Sequence, residues 1–125
     1  GLGIPAEPLF RSRDKEIVAT NGTTYKHGCL VAYGTAGTAV TSATNAEFVY
    51  TGKDTVAKTG DKLAVIPVLP DYEWESYPSV DSSALKAGAK VTTTGEQPTA
   101  TTASGIFQLL TDGAVTTSKV VGRFA

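Results

Sequence analysis

Turn-forming residues break this sequence so often that no regular element can run far. Asn21-Gly22, Gly34 to Gly37, Gly52, Thr59-Gly60-Asp61, Pro70-Asp71 and Asp112-Gly113 each interrupt a run of β-branched, apolar and aromatic residues. Asn-Gly accepts the positive φ values of a tight hairpin turn, and Gly and Pro elsewhere supply backbone angles that a continuing strand does not use. Between these breaks lie Lys15 to Thr20, Tyr25 to Tyr33, Thr38 to Thr41, Glu47 to Thr51, Leu63 to Leu69, Tyr72 to Tyr77, Lys90 to Thr94, Ile106 to Thr111 and Lys119 to Phe124. Each run is short and rich in Val, Thr or aromatic residues, whose stiff or bulky side chains fit a pleated surface better than a helix. Several such strands predict an all-β fold, a small barrel or a β-tulip-like sandwich, because a lone hairpin is marginal in water and closure removes exposed edges.

Within this pattern, Leu63 to Leu69 is the most apolar run and is expected to be the central strand. Pro67, which has no N–H to donate, must then face an edge, a bulge or an end of the ladder. Alternation over Tyr72 to Tyr77 places Tyr72, Trp74 and Ser76 on one face and Glu73, Glu75 and Tyr77 on the other, with the Trp74 face buried. Asp81 to Ala87 is the single candidate helix, with Asp81 or Ser82 as N-cap and Gly88 as stop. The Thr/Ala/Ser-rich stretch Pro98 to Ser104 reads as a loop. Residues 1–14 contain Pro5 and Pro8, which disfavour helix at the residues before them, and so form an extended N-terminal arm ahead of a single β domain over residues 15–125. The apolar residues of that arm, Leu2, Ile4, Leu9 and Phe10, need a cover, either the domain's own surface or a neighbouring subunit.

At 125 residues the chain can bury one core of its own. Its net charge is −1 and its eleven Lys and Arg residues are scattered singly, so neutralisation of phosphates cannot drive strong binding and nucleic acid is not expected as a partner. No apolar run approaches the roughly 20 residues of a membrane-spanning helix, and no membrane partner is expected. The single cysteine, Cys29, excludes an intramolecular disulfide and is expected to act as a small buried hydrophobe. A chain that starts at Gly1 and contains no Met is expected to have lost its initiator.

Chemistry-bearing residues are sparse. His27 is the only histidine, no CxxC or HxxxH spacing exists, and no metal or cofactor is expected. His27 and Cys29, two apart, would share a strand face if Tyr25 to Tyr33 were one strand. Glu73 and Glu75 could suggest the paired carboxylates of a glycosidase, but side chains two apart on one strand point in parallel and cannot oppose each other across a sugar bond. The acidic turn Asp71 to Glu75 lacks the ligand spacing of an EF-hand, and Gly34 to Gly37 lacks the order of a phosphate-binding loop. An enzyme is therefore not expected. Tyr72, Trp74 and Tyr77 are candidate interface aromatics, since such side chains dominate binding energetics.

Four stretches, Lys26 to Ala32 (KHGCLVA), Gly60 to Ile66 (GDKLAVI), Leu85 to Gly88 with Lys90-Val91, and Lys119 to Phe124 (KVVGRF), set behind a short N-terminal arm, resemble the decoration, or cement, proteins of tailed-bacteriophage capsids. The resemblance spans nearly the whole chain as a likeness of composition and arrangement. It implies a homotrimer on the outer capsid surface of the virion, at local three-fold axes of an assembled head. Leu2, Ile4, Pro5, Pro8, Leu9 and Phe10 of the arm would reach onto the major capsid protein. The other expectation is a carbohydrate- or receptor-binding β module of a phage fibre or bacterial surface protein, working through Trp74 and the tyrosines.

Overall fold

A computed structural model describes residues 15–95 and 105–125. Its strands, in chain order, are β1 (Lys15–Val18), β2 (Thr24–Tyr25), β3 (Leu30–Tyr33), β4 (Ala39–Thr41), β5 (Phe48–Tyr50), β6 (Thr55–Val56), β7 (Lys62–Pro67), β8 (Trp74–Ser76), β9 (Lys90–Val91), β10 (Phe107–Leu109) and β11 (Val120–Phe124). The protein is all-β, and no helix forms among the described residues. The expected arm, residues 1–14, and the stretch Pro98 to Ser104 lie outside the described residues.

The strands form three antiparallel sheets. The largest runs β1-β7-β5-β3-β4, the second runs β8-β11-β10-β9, and β2 pairs with β6 alone. Strand alternation sends the residues of the large sheet to two destinations. Ile17, Leu63, Val65, Phe48, Tyr50 and Val31 point to one face and join Tyr25, Cys29, Ala39 and Ala57 in a first core. Leu30 and Val49, one step out of phase, point to the other face and meet Val91, Phe107, Leu109, Val120 and Phe124 of the second sheet. A one-residue slip would exchange these destinations, so register is fixed by burial on both faces.

The large sheet curls around its first core. A single parallel bridge, Ala19 to Ala39, joins the end of β1 to the start of β4, and the Thr20 and Tyr25 hydroxyls both donate to the Ala39 carbonyl, at 2.7 Å each. The two edges therefore touch at one point without a ladder between them, and the architecture is a small sandwich rather than a closed barrel.

Three local expectations change. The middle position of the large sheet belongs to β5, and β7 lies one place in from the edge; Pro67 ends β7 opposite Phe48, where the ladder stops. The candidate helix at Asp81 to Ala87 is a series of turns. Asp81 accepts the Ser83 N–H at 2.9 Å, and the Leu85 N–H donates to Ser82 at 2.9 Å. The N–H groups of Ser82, Ala87 and Gly88 donate instead to Ala114, Asp112 and Leu109 on neighbouring segments. Seven residues cannot offset the cost of helix nucleation when the surrounding sheet offers those partners. Finally, Tyr25 to Tyr33 is not one strand: Gly28, at φ +85°, turns the chain between β2 and β3, and the Cys29 N–H closes the turn on Lys26 at 3.0 Å.

Candidate functional site

The turn at Gly28 decides what becomes of the histidine and the cysteine. Because it breaks the alternation, His27 is exposed at the turn while Cys29 is buried in the first core, 1% exposed, so the two do not share a strand face. The His27 N–H donates to Asp54 Oδ1 at 2.8 Å, its Nδ1 lies 2.9 Å from the Gly52 carbonyl, and Lys26 Nζ sits 3.6 Å from Asp54 Oδ2. The His27 N–H bond, helped by the Lys26 charge, holds the Asp54 carboxyl below its ordinary value. Behind this turn, burial pushes the Tyr50 phenol above its ordinary value, with Cys29 and Asp54 adding to the shift. The Tyr50 hydroxyl donates to the Lys53 carbonyl at 2.6 Å. All of these groups are engaged in holding the turns together, and among the described residues no group of three or more His, Cys, Asp or Glu is placed to hold a metal ion.

The aromatic candidates behave as alternation predicts. Trp74 is half-buried, Glu73 and Glu75 are exposed, and Tyr77 is 46% exposed. Rings stack edge to face from Tyr72 to Trp74 at 6.3 Å, from Trp74 to Phe124 at 6.2 Å, and from Phe124 to Phe107 at 5.3 Å. Each such pair adds about 0.5–1.5 kcal/mol beyond its buried area. Gly122 on β11 makes room for this chain of rings, since a Cβ there would collide with Phe107. The Trp74 indole N–H is buried and has no acceptor among the described residues. Glu75 forms an exposed ion pair with Lys119 at 3.3 Å.

Where the second sheet meets the large one, a cleft of about 340 Å³ opens. Trp74, Glu75, Ser76 and Tyr77 form one side, His27, Tyr50 and Thr51 face them, and Leu30, Val49, Phe107 and Phe124 form its apolar floor. Two of the three candidate aromatics are thus brought to one place, while Tyr72 stacks behind Trp74. Sequence reading did not find the cleft, because its lining comes from six separate segments brought together by sheet packing. No protein-family model matches the chain, and a comparison with curated proteins finds no match. Among the described residues no helix is long and apolar enough to cross a membrane.

Proposed function

We propose that this chain is a non-catalytic structural protein that binds the outside of an assembled viral capsid and stabilises it, as a decoration protein acting with copies of itself. The observation that carries this reading is the position of β1. Among the described residues it is an edge strand of the large sheet, paired in a ladder with β7 only, and in sequence it follows the segment that carries Leu2, Ile4, Leu9 and Phe10. An apolar segment leaving a sheet edge is suited to dock on a neighbour by strand addition and side-chain burial. Many such weak contacts repeated over a shell add through effective concentration. His27 is exposed while Cys29 is buried in the first core, which supports a role without bond-making chemistry.

The test is deletion of Gly1 to Phe10. Circular dichroism of the truncated protein is expected to match that of the full chain, while co-sedimentation with expanded shells is lost. Shell binding that survives the deletion would overturn the role of the arm.

A second reading, a carbohydrate- or receptor-binding module, is favoured by the meeting of Trp74 and Tyr77 at the cleft. A glycan array run with a Trp74→Ala control separates it from the first, and silence across the array retires its carbohydrate form.

A further inference from the structure

The two sheets are tied together on one side and open on the other. The Leu30 N–H donates to the Gly95 carbonyl at 2.6 Å, and the Thr93 hydroxyl donates to the Ala43 carbonyl. Among the described residues no hydrogen bond joins β8 to the large sheet. Among the described residues β8 is also an edge strand, paired only with β11.

The direction of its backbone groups follows from its neighbours. The Val121 carbonyl accepts the Leu110 N–H at 2.8 Å, so Val121 faces the β10 side of β11, and Val120 and Gly122 face β8. Their partners across the ladder are Ser76 and Trp74. In an antiparallel pair the residues alternate in direction, so Glu75, between these two, turns its N–H and C=O out of the sheet. Four consecutive residues, Trp74 to Tyr77, line the cleft together with Phe107 and Phe124, so it reaches from this edge under the inner face of the second sheet.

We propose that the β8 edge accepts an added strand from a partner protein: an extended peptide segment with apolar side chains at alternate positions and Lys or Arg between them. The backbone of such a peptide satisfies the N–H and C=O of Glu75. Its apolar side chains fit the floor of the cleft, whose volume is near the lower end of the roughly 300–1,000 Å³ of ligand sites. The charge requirement comes from Asp71, Glu73 and Glu75, all exposed on or beside this strand. Glu75 pairs with Lys119, but among the described residues Asp71 and Glu73 have no ion-pair partner. Opposite charges facing each other across a strand pair are stabilising, and like charges are not. The inference concerns the β8 edge and is independent of shell binding by the arm.

The experiment is a titration of the whole protein against short synthetic peptides in which Leu, Val or Phe alternates with Lys, Ser or Glu. The Leu-Lys and Phe-Lys series are expected to bind most tightly, with Glu in place of Lys weakening binding about tenfold or more. Glu75→Pro removes the outward N–H without touching the ladder to β11 and is expected to abolish binding, whereas Glu75→Ala, which keeps that N–H and loses one of three carboxylates, is expected to weaken it only about threefold. Amide hydrogen exchange on the unaltered protein needs no variant: the Glu75 amide is expected to slow about tenfold or more in saturating peptide. Absence of binding by every peptide, equal binding of the Lys and Glu series, or an unchanged Glu75 amide overturns the proposal. A saccharide that fills the cleft and leaves that amide exchanging freely overturns it as well.

Discussion

The core inside the curled sheet and the core between the two sheets draw on the same kinds of side chain, yet they treat polar atoms and space differently. Inside the curl, the Tyr25 hydroxyl accepts the Thr20 N–H at 2.9 Å and donates to Ala39 at 2.7 Å, and the Tyr50 hydroxyl is bonded to Lys53. Its aliphatic members Ile17, Leu63, Val65 and Val31 are no more than 3% exposed. Between the sheets, four rings stack edge to face, the Trp74 N–H lacks an acceptor among the described residues, and a cleft reaches the floor residues Leu30 and Val49. The first region is packed for rigidity. The second holds the two sheets together while keeping room for something else, and binding is expected there.

The sharpest way to break this contrast is a matched pair of truncations. Ile17 and Leu30 are equally buried, at 3% and 4%, but only Leu30 borders the cleft. Ile17→Ala is expected to cost about 4 kcal/mol and Leu30→Ala about 2–3 kcal/mol, because a site already open on one side loses fewer contacts and leaves a smaller sealed void. Urea denaturation measures both; equal losses, or a larger loss at Leu30, would show the cores to be equivalent.

A smaller effect separates the polar atoms of the two regions. Tyr25→Phe leaves the Thr20 N–H without its acceptor and is expected to cost about 1–3 kcal/mol. Trp74→Phe removes an N–H that has no partner among the described residues, so relief of that group offsets part of the lost ring contact, and the net cost is expected within about 1 kcal/mol. Thermal melting of the two variants side by side checks the order.

The turn that separates the cores supplies a pH test. Folding lowers the Asp54 pKa, so its stabilisation is complete above the unfolded value of about 4 and fades as pH falls through the lower folded value. Asp54→Asn is expected to flatten the acid side of the urea midpoint measured from about pH 6 to about pH 2, with less effect near neutrality. Identical acid limbs for variant and parent would mean that the His27 to Asp54 bond contributes nothing to folding. The smallest effect belongs to Lys119→Ala, which breaks an exposed ion pair at the rim of the cleft and is expected to change stability by less than about 0.5 kcal/mol, again by denaturation.

Strands were legible wherever a run ended at a local turn signal. Asn21-Gly22, Gly34 to Gly37 and Thr59-Gly60 mark real boundaries, and period two over Tyr72 to Tyr77 gave the correct exposed carboxylates. Tyr25 to Tyr33 failed because Gly28 lies within an otherwise continuous strand pattern, and only the positive φ of the folded chain shows that it turns. The stretch at Asp81 to Ala87 has a capping residue and a stop, but local signals cannot show that its N–H groups find partners on segments thirty residues away, as Ser82 does at Ala114. β6 carries only two residues and has no pattern to read. The cleft was illegible for the same reason: Trp74 was identifiable as an aromatic candidate, but nothing near it in sequence announces His27, Thr51 or Phe124 as neighbours.

The pairing of β1 with β7 matches Lys15 to Val65, residues separated by fifty positions (65 − 15) along the chain. At synthesis rates of roughly 5–20 residues per second, the ribosome needs about 3–10 s to make the partner of a strand it has already released. For that interval β1 lacks its ladder partner, and the core around Ile17 lacks Leu63 and Val65. Until β7 emerges, β1 is therefore open to pairing with another nascent chain.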